Sequence, residues 1–422
     1  MKIAFVIQRY GTEVLGGSEQ LCRLVAERMA TLHDVDVLTT CARDYITWKN
    51  EYPEGADRVR GVTVRRFANT RTRDLAAFNQ YSDWIYTHPH SHADEMEWLK
   101  QQGPWCPPLI DYLRRHHQQY DALLFFTYLY APTVLGLAVA PARSILVSTE
   151  HDEPAIRLDI FKEVFSGPAA IFYLTDSERQ FVQHQFPDRA LLEEVVGVGI
   201  DIPPRVSYPR IPAAADDEAP RTSDGETPAP EFPLHLTTRG AVFRRRQRLH
   251  GSLVLYGGRI DPGKGCEELI QYFTGYVKDG GDATLVLMGT KLMALPEEPF
   301  IRFAGRLPDE ERLQALEAAT VVVCPSPYES LSLLALESMS VGTPILANAR
   351  SAVLVEHCVR SNAGLYYADR DEFVEALKLL VSDAGLRRTL GANGREYVQR
   401  HYRWDVVLGK YEATFAKIKG AR

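Results

Sequence analysis

Two glutamates eight positions apart, Glu329 and Glu337, bracket the segment Ser330-Leu331-Ser332-Leu333-Leu334-Ala335-Leu336, which follows the apolar run VVVC and the turn Pro325-Ser326-Pro327. After Glu329 the sequence reads as helical. The unpaired N–H groups of a helix start then fall at Leu331 to Leu333, where they can hold an anion. Eight helical steps rise about 12 Å, an upper bound on the separation of the carboxylates because Glu329 precedes the helix. That is roughly the reach from a hexose to a ribose across a diphosphate. One carboxylate could therefore grip sugar hydroxyls, the helix end the phosphates, and the second carboxylate the ribose hydroxyls.

A second cluster, Gly257-Gly258-Arg259-Ile260-Asp261-Pro262-Gly263-Lys264-Gly265, lies between a buried strand and an amphipathic helix. Glycines let backbone approach a ligand closely, while a guanidinium and an ammonium can neutralise two phosphates in place of a metal ion. The cluster is neither GxxxxGK[ST] nor GxGxxG. Taken alone, paired glutamates are common on surface helices and Arg259 with Lys264 could be a solvated turn. Their setting at strand ends is what makes them candidates.

These residues need a frame, and the chain offers two. Up to about residue 200 short apolar runs (KIAFVI, DVDVLT, VTVRRF, DALLFF, SILVST, AAIFYL, EEVVGVG) alternate with helical segments, the pattern of a doubly wound parallel sheet. A second series starts at SLVLYGG and runs through ATLVLMG, FIRFAG, TVVVCP, TPILAN and AGLYYA. The expected domains are 1–203, with a helical insertion at about 72–108, and 249–400. A connector at 204–248 joins them, and a helix at 401–422 is expected to cross back to the first domain. Within the connector, 211–233 is rich in proline and acid and is read as a mobile stretch. The Trp and His residues between 81 and 105 read as packing and surface.

With 422 residues, 45% hydrophobic and 24% charged, the chain can bury two cores. Its net charge of -7 argues against a nucleic-acid partner, which needs a concentrated basic face. No run approaches the roughly 20 apolar residues of a membrane span. Six scattered cysteines without a CxxC pair suit reduced thiols in a cytoplasm and give no zinc pattern.

In these motifs the chain resembles the retaining glycosyltransferases of family 4, a GT-B group also described as glycosyl transferases group 1. The resemblance rests on Gly16-Gly17-Ser18-Glu19, Glu150-His151-Asp152, Gly199-Ile200-Asp201, Gly258-Arg259 with Lys264-Gly265, Glu329 with Glu337, and Gly342-Thr343-Pro344. It covers nearly the whole chain. It implies an α/β GT-B fold, two Rossmann-like domains facing across a cleft, with the acceptor bound by the first and the nucleotide sugar by the second. Arg259 and Lys264 would bind the donor diphosphate, Glu337 the ribose and Glu329 the sugar, with Ser330, Leu331, Ser332 and Leu333 lining the distal phosphate. His151 would stand near the reacting carbon, and Gly16 and Gly17 would form a loop closing over phosphate or acceptor. The family often has a Gly-apolar-Gly turn where this chain has Ser330-Leu331-Ser332.

The implied reaction transfers a hexose to a hydroxyl acceptor with retention, with no cofactor and no metal, in the cytoplasm. A lipid acceptor would add peripheral contact with the inner face of a membrane. The rival readings are a GT-B sugar-nucleotide epimerase, which would need acid and base groups around the sugar ring and no acceptor, and a catalytically silent sugar-nucleotide-binding subunit. An NAD-dependent dehydrogenase is disfavoured because the first βα turn lacks the spaced glycines that pyrophosphate needs.

Overall fold

The computed structural model describes residues 1–14, 16–150, 152–190, 192–204 and 239–420. His151 and the segment 211–233 lie outside the described residues. The chain divides into two compact units: Met1–Gly199 with Glu329–Leu331 and His401–Arg422, and Ile200–Tyr328 with Ser332–Arg400.

The first unit is built on strands β1 (Lys2–Val6), β2 (Asp34–Thr40), β3 (Gly55–Val59), β4 (Val62–Phe67), β5 (Ala122–Phe126), β6 (Ser144–Val147), β7 (Ala170–Tyr173) and β8 (Glu193–Val195). Their order is β3-β4-β2-β1-β5-β6-β7-β8. Every pair is parallel except β3 with β4 at the edge. β5, β6 and β7 are buried along their whole length, which is why they read as unbroken apolar runs and not as alternating ones. From β1 the sheet grows first toward β2 and then, from β5, in the opposite direction. The segment Gly16-Gly17 leaves β1 beside that reversal.

Residues 72–108 hold the helices Leu75–Ile85 and His92–Gln102 and the start of Pro107–His116. Asp74 caps the first through the Ala77 N–H, and Ser91 with Asp94 forms a reciprocal capping box on the second. Trp98 is fully buried, and its Nε1 donates to Ser82 Oγ at 2.9 Å. It is a packing residue.

In the second unit β9 (Leu253–Ile260), β10 (Thr284–Lys291), β11 (Ile301–Gly305), β12 (Val321–Cys324), β13 (Ile345–Asn348) and β14 (Gly364–Tyr367) are ordered β11-β10-β9-β12-β13-β14. All pairs are parallel. Counted from β9, this is the 3-2-1-4-5-6 order of a dinucleotide-binding fold. The helix Arg239–Gln247 also belongs to this unit. Its Arg244 donates to the Ala318 and Gly251 carbonyls, and Arg246 pairs with Glu311. All six cysteines are buried and form no disulfide. Among the described residues no helix is long and apolar enough to cross a membrane.

The helix Trp404–Gly420 returns to the first unit. The Tyr411 ring packs edge-on to Phe172 at 4.7 Å, and Lys410 Nζ donates to the Val195 carbonyl at 2.8 Å. Tyr411 is fully buried, and its hydroxyl has no partner among the described residues. Tyr411→Ala should cost about 3–5 kcal/mol by opening a cavity. Tyr411→Phe should be neutral or slightly stabilising, because it removes an unbonded buried hydroxyl. Urea denaturation of both variants checks this, and a loss below about 1 kcal/mol for the alanine variant would show that the helix contributes little to the unit.

Candidate functional site

Strand β9 pairs with β12 only at Val254 and Leu255, yet it continues beside β10 as far as Ile260, with Gly258 opposite Gly289 and Arg259 opposite Thr290. Past Leu255 the β12-facing edge of β9 is therefore open. This is the point where the strand order reverses, and ligands of open α/β sheets bind outside the carboxyl ends of strands at such points.

Two loops line the opening. After β9, Asp261 accepts from the Lys264 N–H at 2.9 Å and closes the turn Pro262–Lys264. Arg259 Nε stands 3.6 Å from Asp261, with about half of the arginine side chain exposed. Gly265 then starts the helix Cys266–Lys278 with φ 72°, and a Cβ there would lie 2.4 Å from the Pro325 carbonyl oxygen. Only glycine meets both demands. The turn carrying Lys264 is thereby pressed against the turn that leaves β12 toward Glu329.

The helix after β12 spans Leu333–Val341, two residues later than the sequence suggests, with Ser332 as its N-cap. Its first N–H groups belong to Leu333, Leu334 and Ala335, and not to Leu331. Ser332 stands at φ 63°, ψ 82°, a left-handed conformation that costs a non-glycine residue about 1–2 kcal/mol. This is the second small position of the Ser-Leu-Ser turn. Glu337 lies one turn into the helix, about 6 Å along its axis from Leu333. Its carboxylate is ion-paired with Arg312 of the helix Asp309–Ala318. Burial raises the Glu337 pKa and the Arg312 charge pulls it back down. Arg259, Lys264, the helix start and Glu337 thus all belong to the second unit, while Glu329, Ser330 and Leu331 are grouped with the first.

In the first unit Gly16 is the N-cap and Gly17 the first residue of the helix Gly17–Met29. A Cβ on Gly16 would lie 2.0 Å from Glu19 Oε2, whereas one on Gly17 meets nothing within 4 Å. Glu19 is buried and accepts from Arg9 Nε at 2.9 Å, Arg9 Nη2 at 2.5 Å and Gln8 Nε2 at 2.9 Å. Gly16 therefore makes room for a buried ion pair. Arg9 stands three residues past the end of β1 and carries no motif, so sequence reasoning missed it.

After β6, Glu150 is buried and accepts from Ser148 Oγ. It lies against a second buried carboxyl, Glu178, which accepts from the backbone N–H groups of Glu150, at 3.2 Å, and Leu174. Burial first, then the charge of Glu178, pushes Glu150 well above the usual carboxylate range. Burial lifts Glu178 to about 7. Asp152 pairs with Arg157 at the surface, and His151 between them is outside the described residues.

Residues 243–397 match the family Glycosyl transferases group 1. Apart from Glu329–Leu331, the matched residues lie in the second unit. Over 96% of its length the chain is similar, at 26% identity, to 93% of a D-inositol 3-phosphate glycosyltransferase of Corynebacterium urealyticum. Its fold is similar to that of sucrose-phosphate synthase from Thermosynechococcus elongatus (TM-score 0.66, 17% identity, all of both chains). It is also similar to that of Anabaena HepE (TM-score 0.67, 14% identity, 99% of this chain and all of that one). The fold is GT-B, and together the matched domain and these likenesses support a GT-B glycosyltransferase.

Within that glycosyltransferase frame the left-handed Ser332 and the Glu150–Glu178 pair yield tests. Ser332→Gly should leave stability equal or raised by up to about 1 kcal/mol, whereas Ser332→Val should lower it by about 1–2 kcal/mol or more, since β-branched residues tolerate φ > 0 poorly. Thermal denaturation ranks the three, and a valine variant as stable as the parent would contradict the backbone assignment.

Between the ordinary glutamate value of 4.5 and about 7 the unfolded chain releases protons that the folded pair retains. Stability then falls as pH rises through this window, by roughly 3 kcal/mol for one such carboxyl. Glu150→Gln should flatten that fall, read from urea midpoints at several pH values. Identical slopes in parent and variant would mean that the pair does not titrate there.

Proposed function

We propose that the chain is a retaining glycosyltransferase of family 4 that moves a hexose from a nucleoside-diphosphate sugar to a hydroxyl acceptor without a metal. One observation carries this reading. At the strand-order reversal of the second unit, Arg259 ends β9, the turn bearing Lys264 that follows it adjoins the segment leading to the Leu333 helix start, and a largely buried carboxylate lies one turn along that helix. Two cations and a helix N-terminus suit a diphosphate, and a carboxylate suits the ribose diol. The fold neighbour from Anabaena is described in complex with UDP, which supports a nucleotide donor here.

In this reading Arg259, Lys264 and the Leu333 N–H group stabilise the negative charge that grows on the departing diphosphate. Gly258 lets that charge approach the backbone. Glu329 grips the sugar hydroxyls, with Ser330, Leu331 and Ser332 shaping the turn that presents it, and Glu337 binds the ribose. His151 stands near the reacting carbon by resemblance. Gly17, where an added Cβ would meet nothing within 4 Å, is the better of the two loop glycines for contact with phosphate or acceptor, since Gly16 is committed to Glu19. Retention follows from attack on the face the diphosphate leaves, with the leaving phosphate taking the acceptor proton. The reaction is placed in the cytoplasm, with peripheral membrane contact if the acceptor is a lipid.

Lys264→Ala and Arg259→Ala should each weaken nucleoside-diphosphate binding tenfold or more, since a charge-assisted contact is worth about 1.5–3 kcal/mol. Turnover should survive EDTA, and release of the nucleoside diphosphate should require an acceptor, which separates transfer from epimerisation. Isothermal titration and a coupled release assay read all of these. Unchanged affinity in both variants, or turnover abolished by EDTA and restored by Mg²⁺ or Mn²⁺, would overturn the reading.

A further inference from the structure

Resting on the donor site above, a further role follows for a residue that no motif singles out. Arg312, on the helix Asp309–Ala318, reaches the neighbouring helix and bonds Glu337 Oε2 through Nη1, while its Nη2 stands 3.5 Å from Asp309. Glu337 is 15% exposed and Arg312 30%. We propose that Arg312 is a positioning residue for the nucleoside end of the donor, fixing the orientation and charge of Glu337 so that the carboxylate meets the ribose diol.

The opposite role, a cation that blocks Glu337, is the competing reading of the same contact. A carboxylate offers about four lone-pair sites on two oxygens, so one guanidinium N–H on Oε2 leaves acceptor capacity for a diol. Burial works against the ionised form of Glu337, and the Arg312 charge works for it. Without that charge the carboxyl would take up a proton more readily and lose acceptor strength toward ribose. The charged groups facing it are Arg312 and Asp309, both from the one helix. Strands β12 and β13, which also pack on the Glu337 helix, bring Cys324 as their sole titratable side chain.

The test titrates UDP, GDP and ADP, and separately inorganic pyrophosphate, into the full chain and into Arg312→Gln, Arg312→Lys and Glu337→Gln at several pH values. Arg312→Gln should weaken the nucleoside diphosphate that binds by about tenfold at the acid end of the series, and the ratio to wild type should shrink as pH rises and Glu337 ionises. Pyrophosphate, which has no ribose, should bind both proteins within about twofold, because phosphate contacts are untouched. Arg312→Lys should restore the wild-type pH profile, and Glu337→Gln should show a weakened but pH-flat ratio. Tighter nucleotide binding in Arg312→Gln, or an equal loss for pyrophosphate and nucleotide at every pH, would overturn the role of Arg312 alone. Failure of the wild-type chain to bind any of the three nucleotides would overturn the donor-site reading and the Arg312 role with it.

Discussion

Two parallel strands whose connections leave in opposite directions cannot stay paired to their ends, and the second unit depends on where that separation falls. β9 and β12 part after Leu255, but β9 keeps its register with β10 for five more residues. The extra length carries Gly258 and Arg259 beyond the sheet proper while one edge of the strand is still held. Arg259 is thus fixed by ladder bonds and open on the other side. A loop residue would have paid more ordering entropy for the same position.

The approach of the two flanking loops follows from that separation. The Lys264 turn can seat itself against Pro325 because Gly265 offers no side chain at the contact. The chain leaving Pro325 enters its helix through Ser332, which takes a left-handed conformation. Strain of this kind persists where surrounding structure over-determines it, and such places are often ligand sites. In this unit the strained residue immediately precedes the N–H groups assigned to the phosphate.

Strand runs and the two-sheet division were legible because strands buried on both faces leave long apolar words such as ALLFF and VVVC. The Gly258-Arg259 and Lys264-Gly265 motif was legible because its glycines answer local demands of backbone. The helix Arg239–Gln247 was not. Its polar surface holds three arginines, and its buried face, with Arg239 and Gly240, has only Phe243 among large apolar residues, so no apolar stripe announces it, and its anchorage is arginine to distant carbonyls. The start of the Glu337 helix was misplaced by two residues because Leu331 is apolar enough to pass for a helical position. The partners Arg9, Arg312 and Glu178 escaped for a common reason: each acts through a contact distant in sequence, 10, 25 and 28 residues away, which spacing within a motif cannot encode.

Three glutamates, two buried and one largely so, show how far neighbours, and not residue type, decide the chemistry of a carboxyl group. Glu19 meets a guanidinium within its own βα turn and holds the first strand to the first helix. Glu337 meets a guanidinium from an adjacent helix, and burial and counter-charge act on it in opposite directions. Glu150 meets another carboxyl, so burial and like charge act in the same direction and a shared proton is the cheaper solution. An ionised carboxylate is the stronger acceptor of hydroxyl bonds, and that favours the second environment over the third. This is why the proposed reading gives the ribose role to Glu337 and makes it depend on Arg312. The neutral Glu150 is suited to holding the strand end that precedes His151, and a proton held there can be lost only by setting two like charges side by side in a buried site.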